Sequence, residues 1–431
     1  MGAPWWALGA SQTRQLWLIQ FADLTGVWGV TAWLLACNAL LALVLLQRSR
    51  GAVAWLLVLL LTPWLYGSWR LTELPAPIGA LQVAAISPGF DQGDGLVQFE
   101  RALAFSEAAL AGHKPDLLLW PESVYMYPLV TQIESRNLLL TTVERWQVPL
   151  MLNAMEQPAD APGQQYTVSA LLTPELATHI LDQAPAGAWP VRMDRKRRLT
   201  PLAEWLPYPG QLAWFYSAVS SYFELPANGG YTPGSAAPQP FHILWQGKAL
   251  PLGAVICFEL LFPDEVAQVV ARGARAVLWL TNDQLAEEGP YAYQFAQFAR
   301  LRAVETRRDV VRANLTGWAF VVGPDGRIRA QGTRDAGAVM LETRLHEALS
   351  VYVRYPHGFL WLCALCAGLL LSWGALESIR RHWDGIRSSA PAPWRSIRRQ
   401  QPAKAVEQHH GEEKQVAPQH RREKQFGHPL S

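Results

Sequence analysis

The sequence has few cysteines and little net charge, and each shortage excludes a class of protein. Four cysteines in 431 residues are too few for a disulfide framework. A net charge of +2 argues against a general nucleic-acid binder, so we expect no nucleic acid on the central domain. No repeat with a period of 20–50 residues is visible, which argues against a solenoid. No group of His, Cys, Asp and Glu has metal-site spacing, so we expect no metal and no other cofactor.

Apolar residues, by contrast, are abundant: half of the chain is hydrophobic and 20 residues are Trp. Three apolar runs without charge are long enough to cross a hydrocarbon core of about 30 Å. They are Leu24–Leu46, Ala52–Trp69 and Gly358–Leu376. We therefore predict two transmembrane helices within residues 24–70 and a third at 358–376. Cys37, Cys363 and Cys366 lie inside these runs and are interpreted as small apolar residues.

Arginines follow the first and the third run, at Arg48, Arg50, Arg380 and Arg381. Basic loops favour the cytoplasm. Residues 1–23 and the long stretch between the second and third runs are then expected outside the cytoplasm. The segment Met1–Gln15 lacks the basic-then-apolar layout of a cleavable signal peptide, so we expect the first run to act as its own insertion signal.

Residues 380–431 form a basic tail with 11 Lys or Arg and 5 Asp or Glu, a net charge of +6. The tail has no helical or strand periodicity and is predicted to be disordered in the cytoplasm. Its charge would allow contact with anionic lipid or with a cytoplasmic partner. The simpler interpretation is a solvated tail that follows the positive-inside rule.

Residues 78–346 read as a separate domain in which strands alternate with helices. Such alternation predicts a layered α/β fold. The predicted strands include Ile78–Ser87, Asp116–Ser123 and Val148–Met155, and the predicted helices include Asp94–Gly112 and Leu129–Trp146.

Reactive side chains follow several of these strands. Glu122 comes after an apolar strand and a Trp-Pro pair, surroundings that would raise the pKa of a general base. Lys196 lies in a run of arginines; such a run is usually solvated, but a proline-braced loop with Glu204 follows it at once. Cys257 ends another apolar strand two residues before Glu259. A surface carboxylate and a buried inert thiol are the alternatives for Glu122 and Cys257 taken singly.

Taken together, these motifs resemble the nitrilase, or carbon-nitrogen hydrolase, superfamily. The segments "WPES", "KRRLTPLAEWLP", "AVICFE", "LTND" and "QFARLRAVETRRDVVRAN" follow in the family's order. With the membrane runs, residues 16–378 resemble a bacterial apolipoprotein N-acyltransferase. The resemblance implies an α-β-β-α sandwich flanked by transmembrane helices, two before and one after. It also implies a multi-pass protein of the bacterial inner membrane with a periplasmic catalytic domain.

The resemblance carries roles to individual positions. Glu122 matches the catalytic base, Lys196 the catalytic lysine and Cys257 the nucleophile. Glu204 and Glu259 match supporting acids of the active site. The implied reaction takes an acyl group from a membrane phospholipid, through a cysteine thioester, to an amine such as a lipoprotein N-terminus.

The sequence also departs from the family. Residues 284–287 (QLAE) stand where the family has Trp-Phe-Gly, Phe258 replaces a tyrosine and Phe295 a histidine. Several N-terminal membrane helices of the family are not matched. A shortened protein of this kind also resembles the conjugal transfer protein TraB. An amidase or acyltransferase serving plasmid conjugation is therefore one alternative, and a catalytically silent membrane scaffold is another.

Overall fold

The computed structural model of the chain describes residues 4–90, 95–161, 163–183, 191–220, 230–284 and 290–389. In these ranges the strands β1 to β12 are Gly79–Ser87, Leu117–Leu119, Leu150–Glu156, Tyr166–Leu172, Met193–Arg195, Phe241–Trp245, Lys248–Ile256, Val277–Thr281, Val310–Asn314, Phe320–Val322, Ile328–Gln331 and Gly337–Leu345. The helices α1 to α11 are Leu16–Ile19, Ala22–Gln47, Arg50–Thr72, Gly95–Gly112, Ile133–Trp146, Pro174–Gln183, Ala213–Val219, Pro263–Ala271, Pro290–Thr306, Val351–Arg354 and Gly358–Ser389.

The strands form two six-stranded mixed sheets. The first has the order β12-β1-β2-β3-β4-β5 and the second the order β11-β10-β9-β8-β7-β6. In the first sheet β1 runs parallel to β2 and antiparallel to β12. In the second, β7, β8 and β9 are mutually parallel. Crossover helices between parallel strands then cover the outer faces of the sheets.

Alternation along the strands divides the core into layers, because successive side chains point to opposite faces of a sheet. In β1, Leu81 and Val83 enter the cluster between the two sheets, whereas Ile86 packs against the helices α4 and α5. In β8, Leu278 faces the other sheet and Trp279 faces α8 and α9. The result is the α-β-β-α sandwich that the sequence predicted.

Two long apolar helices precede the sandwich and one follows it, as predicted. The helices α2 and α3 and the segment Gly358–Gly385 of α11 are each long and apolar enough to cross a membrane. By internal contacts the chain divides after Leu365, so the distal part of α11 forms a second unit. Three helices of this length and composition indicate a membrane protein.

The third apolar helix extends further than predicted. α11 runs to Ser389, so the first ten residues of the predicted disordered tail, 380–389, are helical and that part of the prediction is wrong. Arg381 pairs with Glu377 one turn earlier at 3.2 Å, and no proline occurs between Gly358 and Pro391. Nothing in the sequence therefore ends the helix at the last apolar residue. Residues 390–431 of the tail lie outside the described residues.

A kink at Gly26 joins the first membrane helix to the sandwich. Gly26 has φ 66° and ψ −175°, a conformation open only to glycine, and the ring of Tyr352 lies against it. The kink frees the backbone N–H of Val27, which donates to Oε1 of buried Glu305 at 2.8 Å. Arg302 pairs with the same carboxylate at 2.9 Å.

A buried ionic network holds the same junction one turn earlier. Asp23 accepts from Arg307 and from Arg70, both at 2.8 Å, and from the hydroxyl of Tyr66 at 2.7 Å. Arg307 also donates to the side chain of Gln20 at 2.8 Å. Since Arg70 lies in the last turn of α3 and Arg307 follows α9, a single carboxylate ties both membrane helices to the sandwich.

We predict that Gly26→Ala destabilises the junction. The added methyl group would come within 2.6 Å of the Tyr352 ring, and alanine at this φ and ψ costs about 1–3 kcal/mol. The measurement is thermal unfolding in nanodiscs. Gly51→Ala is the matched control, because its methyl group would meet only Ser49 Oγ at 3.9 Å. Equal melting temperatures for the two variants would contradict the assigned role of the kink.

Candidate active site

The structure brings four of the predicted side chains to one point at the edge of the sandwich. Glu122 follows β2, Lys196 follows β5 directly, and Cys257 follows β7. Lys196 Nζ donates to Glu122 Oε1 at 2.9 Å and to Glu204 Oε1 at 2.8 Å. Cys257 lies beside Glu122, close enough for the carboxylate charge to raise the pKa of the thiol. Lys196 and the two carboxylates therefore form one hydrogen-bonded chain with the thiol beside it, and these four side chains come from both sheets.

Lys196 is the centre of this chain and is 1% exposed. Its backbone is fixed as well: its N–H donates to Thr167 O at 2.9 Å, and its carbonyl accepts from Gly234 N–H at 2.8 Å. Burial lowers the pKa of Lys196, but the charges of Glu122 and Glu204 outweigh burial and hold the pKa well above its ordinary value. The side chain is therefore a fixed ammonium.

The surroundings of Glu122 and Cys257 favour the protonated form of both side chains. Burial raises the pKa of Glu122, although the charge of Lys196 acts in the opposite direction. Burial and the negative charge of Glu122 raise the pKa of the Cys257 thiol well above its ordinary value. A free thiolate is therefore not the resting form, and a nucleophile has to be made by proton transfer to Glu122.

Cys257 sits on a strained turn. Its φ is 47°, in the left-handed region that non-glycine residues seldom occupy. A short 3₁₀ turn, Cys257–Leu261, begins here at the end of β7. The carbonyl of Cys257 accepts from the indole N–H of Trp279 at 3.0 Å, which fixes the turn, and the side chain remains partly accessible.

Glu259 lies beside the cluster and does not bond the thiol or the lysine. Its buried carboxylate accepts from the backbone N–H of Ile256 at 2.9 Å and of Arg197 at 2.7 Å. These bonds join the loop of Lys196 to the loop of Cys257. Glu259 is thus a positioning residue, whereas Glu204 touches the ammonium directly and braces its own loop through the N–H of Thr200 at 2.7 Å.

The arginines around Lys196 are paired rather than solvated. Arg195 makes a two-pronged contact with Glu156 at 2.6 and 2.7 Å. Arg197 pairs with Glu265 at 2.8 Å and with Asp194 at 3.0 Å. Lys196 can therefore lie inward at 1% exposure, because the neighbouring arginines pair with acids outside the cluster.

Sequence reasoning missed a second buried ionic group behind the cysteine. Asp283 pairs with Arg312 and accepts from Asn314 Nδ2 at 3.2 Å. The guanidinium of Arg312 lies 4.6 Å from the ring centroid of Trp279, the residue that holds the Cys257 carbonyl. A lone arginine within the apolar strand Val310–Asn314 was the available signal.

Phe258 and Phe295, which depart from the family's pattern, both pack against aromatic rings. Phe295 is buried, with its ring centroid 5.1 Å from that of Trp279, so it completes the apolar wall behind the cysteine turn. Phe258 packs edge-on against Phe262 at 5.4 Å. Of the QLAE stretch, Gln284 is described, and residues 285–287 lie outside the described residues.

Comparison with known proteins agrees with this architecture. The family model for carbon-nitrogen hydrolases matches residues 82–347, a range that contains all five predicted site residues. The chain therefore belongs to the carbon-nitrogen hydrolase family and is an enzyme of that superfamily. A second family model, the apolipoprotein N-acyltransferase N-terminal domain, matches residues 1–40.

Within the family, the chain is similar to apolipoprotein N-acyltransferases. The protein of Geobacter metallireducens is 30% identical over 86% of this chain and 69% of its own length. That of Chlorobaculum tepidum is 28% identical over 85% and 72%. Among solved structures, Saccharomyces cerevisiae Nit3 gives a TM-score of 0.44 at 17% identity, covering 63% of this chain and 92% of Nit3.

We predict a pH-dependent effect of Glu259→Gln. Burial raises the pKa of Glu259 from 4.5 to about 6 in spite of Arg197. Between these values the folded protein holds more protons than the unfolded chain, so the free energy of unfolding falls as the pH rises. That difference in pKa corresponds to about 2 kcal/mol. The variant lacks this titration and should gain about that much on the wild type between pH 4.5 and 7.

The measurement is chemical denaturation of both proteins at the two pH values. Glu342→Gln, at an exposed position of β12, controls for the loss of one carboxylate. A stability difference between Glu259→Gln and wild type that stays constant with pH would show that Glu259 does not titrate in this window.

Proposed function

We propose that this protein transfers acyl groups through a thioester on Cys257, with Glu122 as base and Lys196 as oxyanion donor. The observation that carries the proposal is a buried ammonium bonded to two carboxylates, one of which lies beside the thiol and raises its pKa. Base and nucleophile within hydrogen-bond reach are what covalent catalysis requires.

In the first half-reaction the sulfur of Cys257 attacks the carbonyl of an ester. The thiol proton passes to Glu122 as the carbon–sulfur bond forms, because the thiol itself is too weak an acid to ionise beforehand. Collapse of the tetrahedral intermediate breaks the bond to the leaving alcohol, and Glu122 returns its proton to that oxygen. The products are an acyl-cysteine and a free alcohol.

Lys196 has the right donor count to stabilise the intermediate. An ammonium group has three N–H donors, and Glu122 and Glu204 occupy two of them. The third is free to donate to an oxyanion, and a charge fixed in a dry site needs no reorganisation during the reaction.

In the second half-reaction an amine attacks the thioester. Glu122 accepts a proton from the amine nitrogen, the carbon–sulfur bond breaks, and the sulfur takes the proton back. The product is an amide, and the enzyme returns to its starting state.

The substrates we favour are a membrane phospholipid as donor and a lipoprotein N-terminal amine as acceptor. The activity for which the relatives are named, apolipoprotein N-acyltransferase, supports this choice, as do the three apolar helices. The two alternatives differ in what they require. A conjugation-associated amidase needs no lipoprotein acceptor, and a silent scaffold forms no acyl-enzyme.

For the membrane orientation we keep the arrangement that the basic loops favour. Arg48 follows α2 and Arg50 begins α3, at the end of these helices away from the Asp23 junction. With that end in the cytoplasm of a bacterial inner membrane, the Cys257 site faces the periplasm. The basic residues from Arg380 onward then lie in the cytoplasm, where anionic lipid is one candidate partner.

We predict that incubation with phospholipid adds one acyl mass to the intact protein and that Cys257→Ala abolishes it. Lys196→Met should slow the addition by at least about 10²-fold, since removing one oxyanion donor typically costs 10²–10³. Lys248→Met, at an exposed position of β7, is the matched control. The rate should also fall with decreasing pH as Glu122, whose pKa is raised, takes up a proton.

Intact-protein mass spectrometry measures the adduct, and circular dichroism checks that each variant is folded. Lys196→Met leaves two carboxylates without their buried cation, so Lys196→Arg serves as a second variant if the first does not fold. An acyl adduct that persists in Cys257→Ala would end the thioester mechanism.

The acceptor is tested by complementation. In a bacterial strain depleted of its own apolipoprotein N-acyltransferase, the wild-type chain should restore growth and the Cys257→Ala chain should not. Good expression with a Cys257 adduct but no complementation would favour an amidase or acyltransferase of conjugation. Absence of both adduct and complementation would favour the scaffold.

A further inference from the structure

Behind the cysteine turn, three side chains lie next to one another across three strands of the second sheet. The strand register places Trp279 of β8 beside Arg312 of β9, and Arg312 beside Phe320 of β10. The guanidinium carbon of Arg312 lies 4.6 Å from the ring centroid of Trp279 and 5.3 Å from that of Phe320. The three side chains therefore share the face of the sheet that packs against α8 and α9.

The charge of Arg312 lies in a layer that is otherwise apolar. Arg312 is fully buried, and Val310 and Val322 flank it in the same layer. Its Nε has no hydrogen-bond partner in the described part of the chain. Replacing a buried ion pair by apolar side chains of similar volume is often neutral or stabilising. Stability alone therefore does not explain why a guanidinium lies here.

Asp283 and Asn314 hold this guanidinium in place. Asp283 is 3% exposed, follows β8 and pairs with Nη2 of Arg312. Asn314, at the end of β9, donates to Asp283 Oδ2 at 3.2 Å and accepts from the backbone N–H of Asp283 at 3.2 Å. Because Asp283 is bonded to Asn314 in both directions, the guanidinium that it pairs with is fixed against the indole.

The indole in turn holds the peptide of the proposed nucleophile. Trp279 Nε1–H donates to Cys257 O at 3.0 Å, and Phe295 packs edge-on against the same indole. A residue with a φ of 47° keeps that conformation only when its surroundings fix it. The bond from Trp279 is one contact that does so, and a cation stacked on the ring fixes the plane in which the N–H points.

We propose that the pair of Arg312 and Asp283 positions the Cys257 thiol beside Glu122, acting through the indole of Trp279. These residues meet the site at the Cys257 carbonyl and not at a reacting atom, so they are positioning residues. The inference deepens the proposed function and rests on it. A structural role would need only volume in this layer, whereas positioning needs the indole N–H and the planar guanidinium.

The first measurement is the rate at which phospholipid acylates Cys257. Trp279→Phe keeps an aromatic ring but loses the N–H, and should slow acylation about fivefold, the usual contribution of one hydrogen bond. Arg312→Lys keeps the charge but loses the planar stack, and should slow it by a similar factor. Because both act through one hydrogen bond, the double variant should be no slower than Trp279→Phe alone. Trp373→Phe and Arg272→Lys, at exposed positions, are the matched controls.

The second measurement is alkylation of Cys257 by iodoacetamide across a range of pH, which needs no acyl donor. Peptide mass spectrometry separates Cys257 from the other three cysteines. In the wild type the charge of Glu122 raises the pKa of the thiol. A thiol that is no longer held in Trp279→Phe would lie further from that charge, so its alkylation profile should shift to lower pH.

An unchanged pH profile in Trp279→Phe would overturn the proposal, and so would losses of rate that multiply in the double variant. Circular dichroism checks folding, and Arg312→Lys carries both measurements if Trp279→Phe does not fold. A wild-type chain that forms no acyl adduct, while Trp279→Phe still shifts the alkylation profile, would contradict the proposed function and leave the positioning role standing.

Discussion

The candidate site depends on one buried positive charge. An ammonium group that is 1% exposed cannot be left unpaired, because an isolated buried charge costs several kcal/mol. Glu122 and Glu204 provide the pairing, and they come from different loops. Lys196 therefore joins those loops through its two ion pairs, as well as serving the chemistry proposed for it.

At the junction with the membrane helices, a buried charge is again shared between two partners, but there the shared charge is negative and its partners are positive. There the carboxylate of Asp23 is the shared group, and Arg70 and Arg307 approach it from two elements. Both clusters lie between parts of the fold that the apolar core alone does not align. Hydrophobic burial gathers the layers, and paired charges fix how loops and helices meet.

Part of this could be predicted from the sequence and part could not. The apolar runs and the strand-then-carboxylate pattern at Glu122 are local signals, and they predicted the long apolar helices and a carboxylate just after β2. The partners of Arg312 and Arg307 come from residues far away in the chain, so no local pattern reveals them. The kink at Gly26 could not be predicted, since a glycine in an apolar run is common in membrane helices.

The kink at Gly26 has a mechanical consequence. Glu305, which holds Val27, is ten residues along α9 from Phe295, which packs on Trp279. These ten residues form a helical segment about 15 Å long. The segment lies between the bend of the membrane helix and the indole that holds the Cys257 carbonyl. A change in the tilt of α2, such as a thinner bilayer imposes, would therefore act on a helix that also packs behind the cysteine turn.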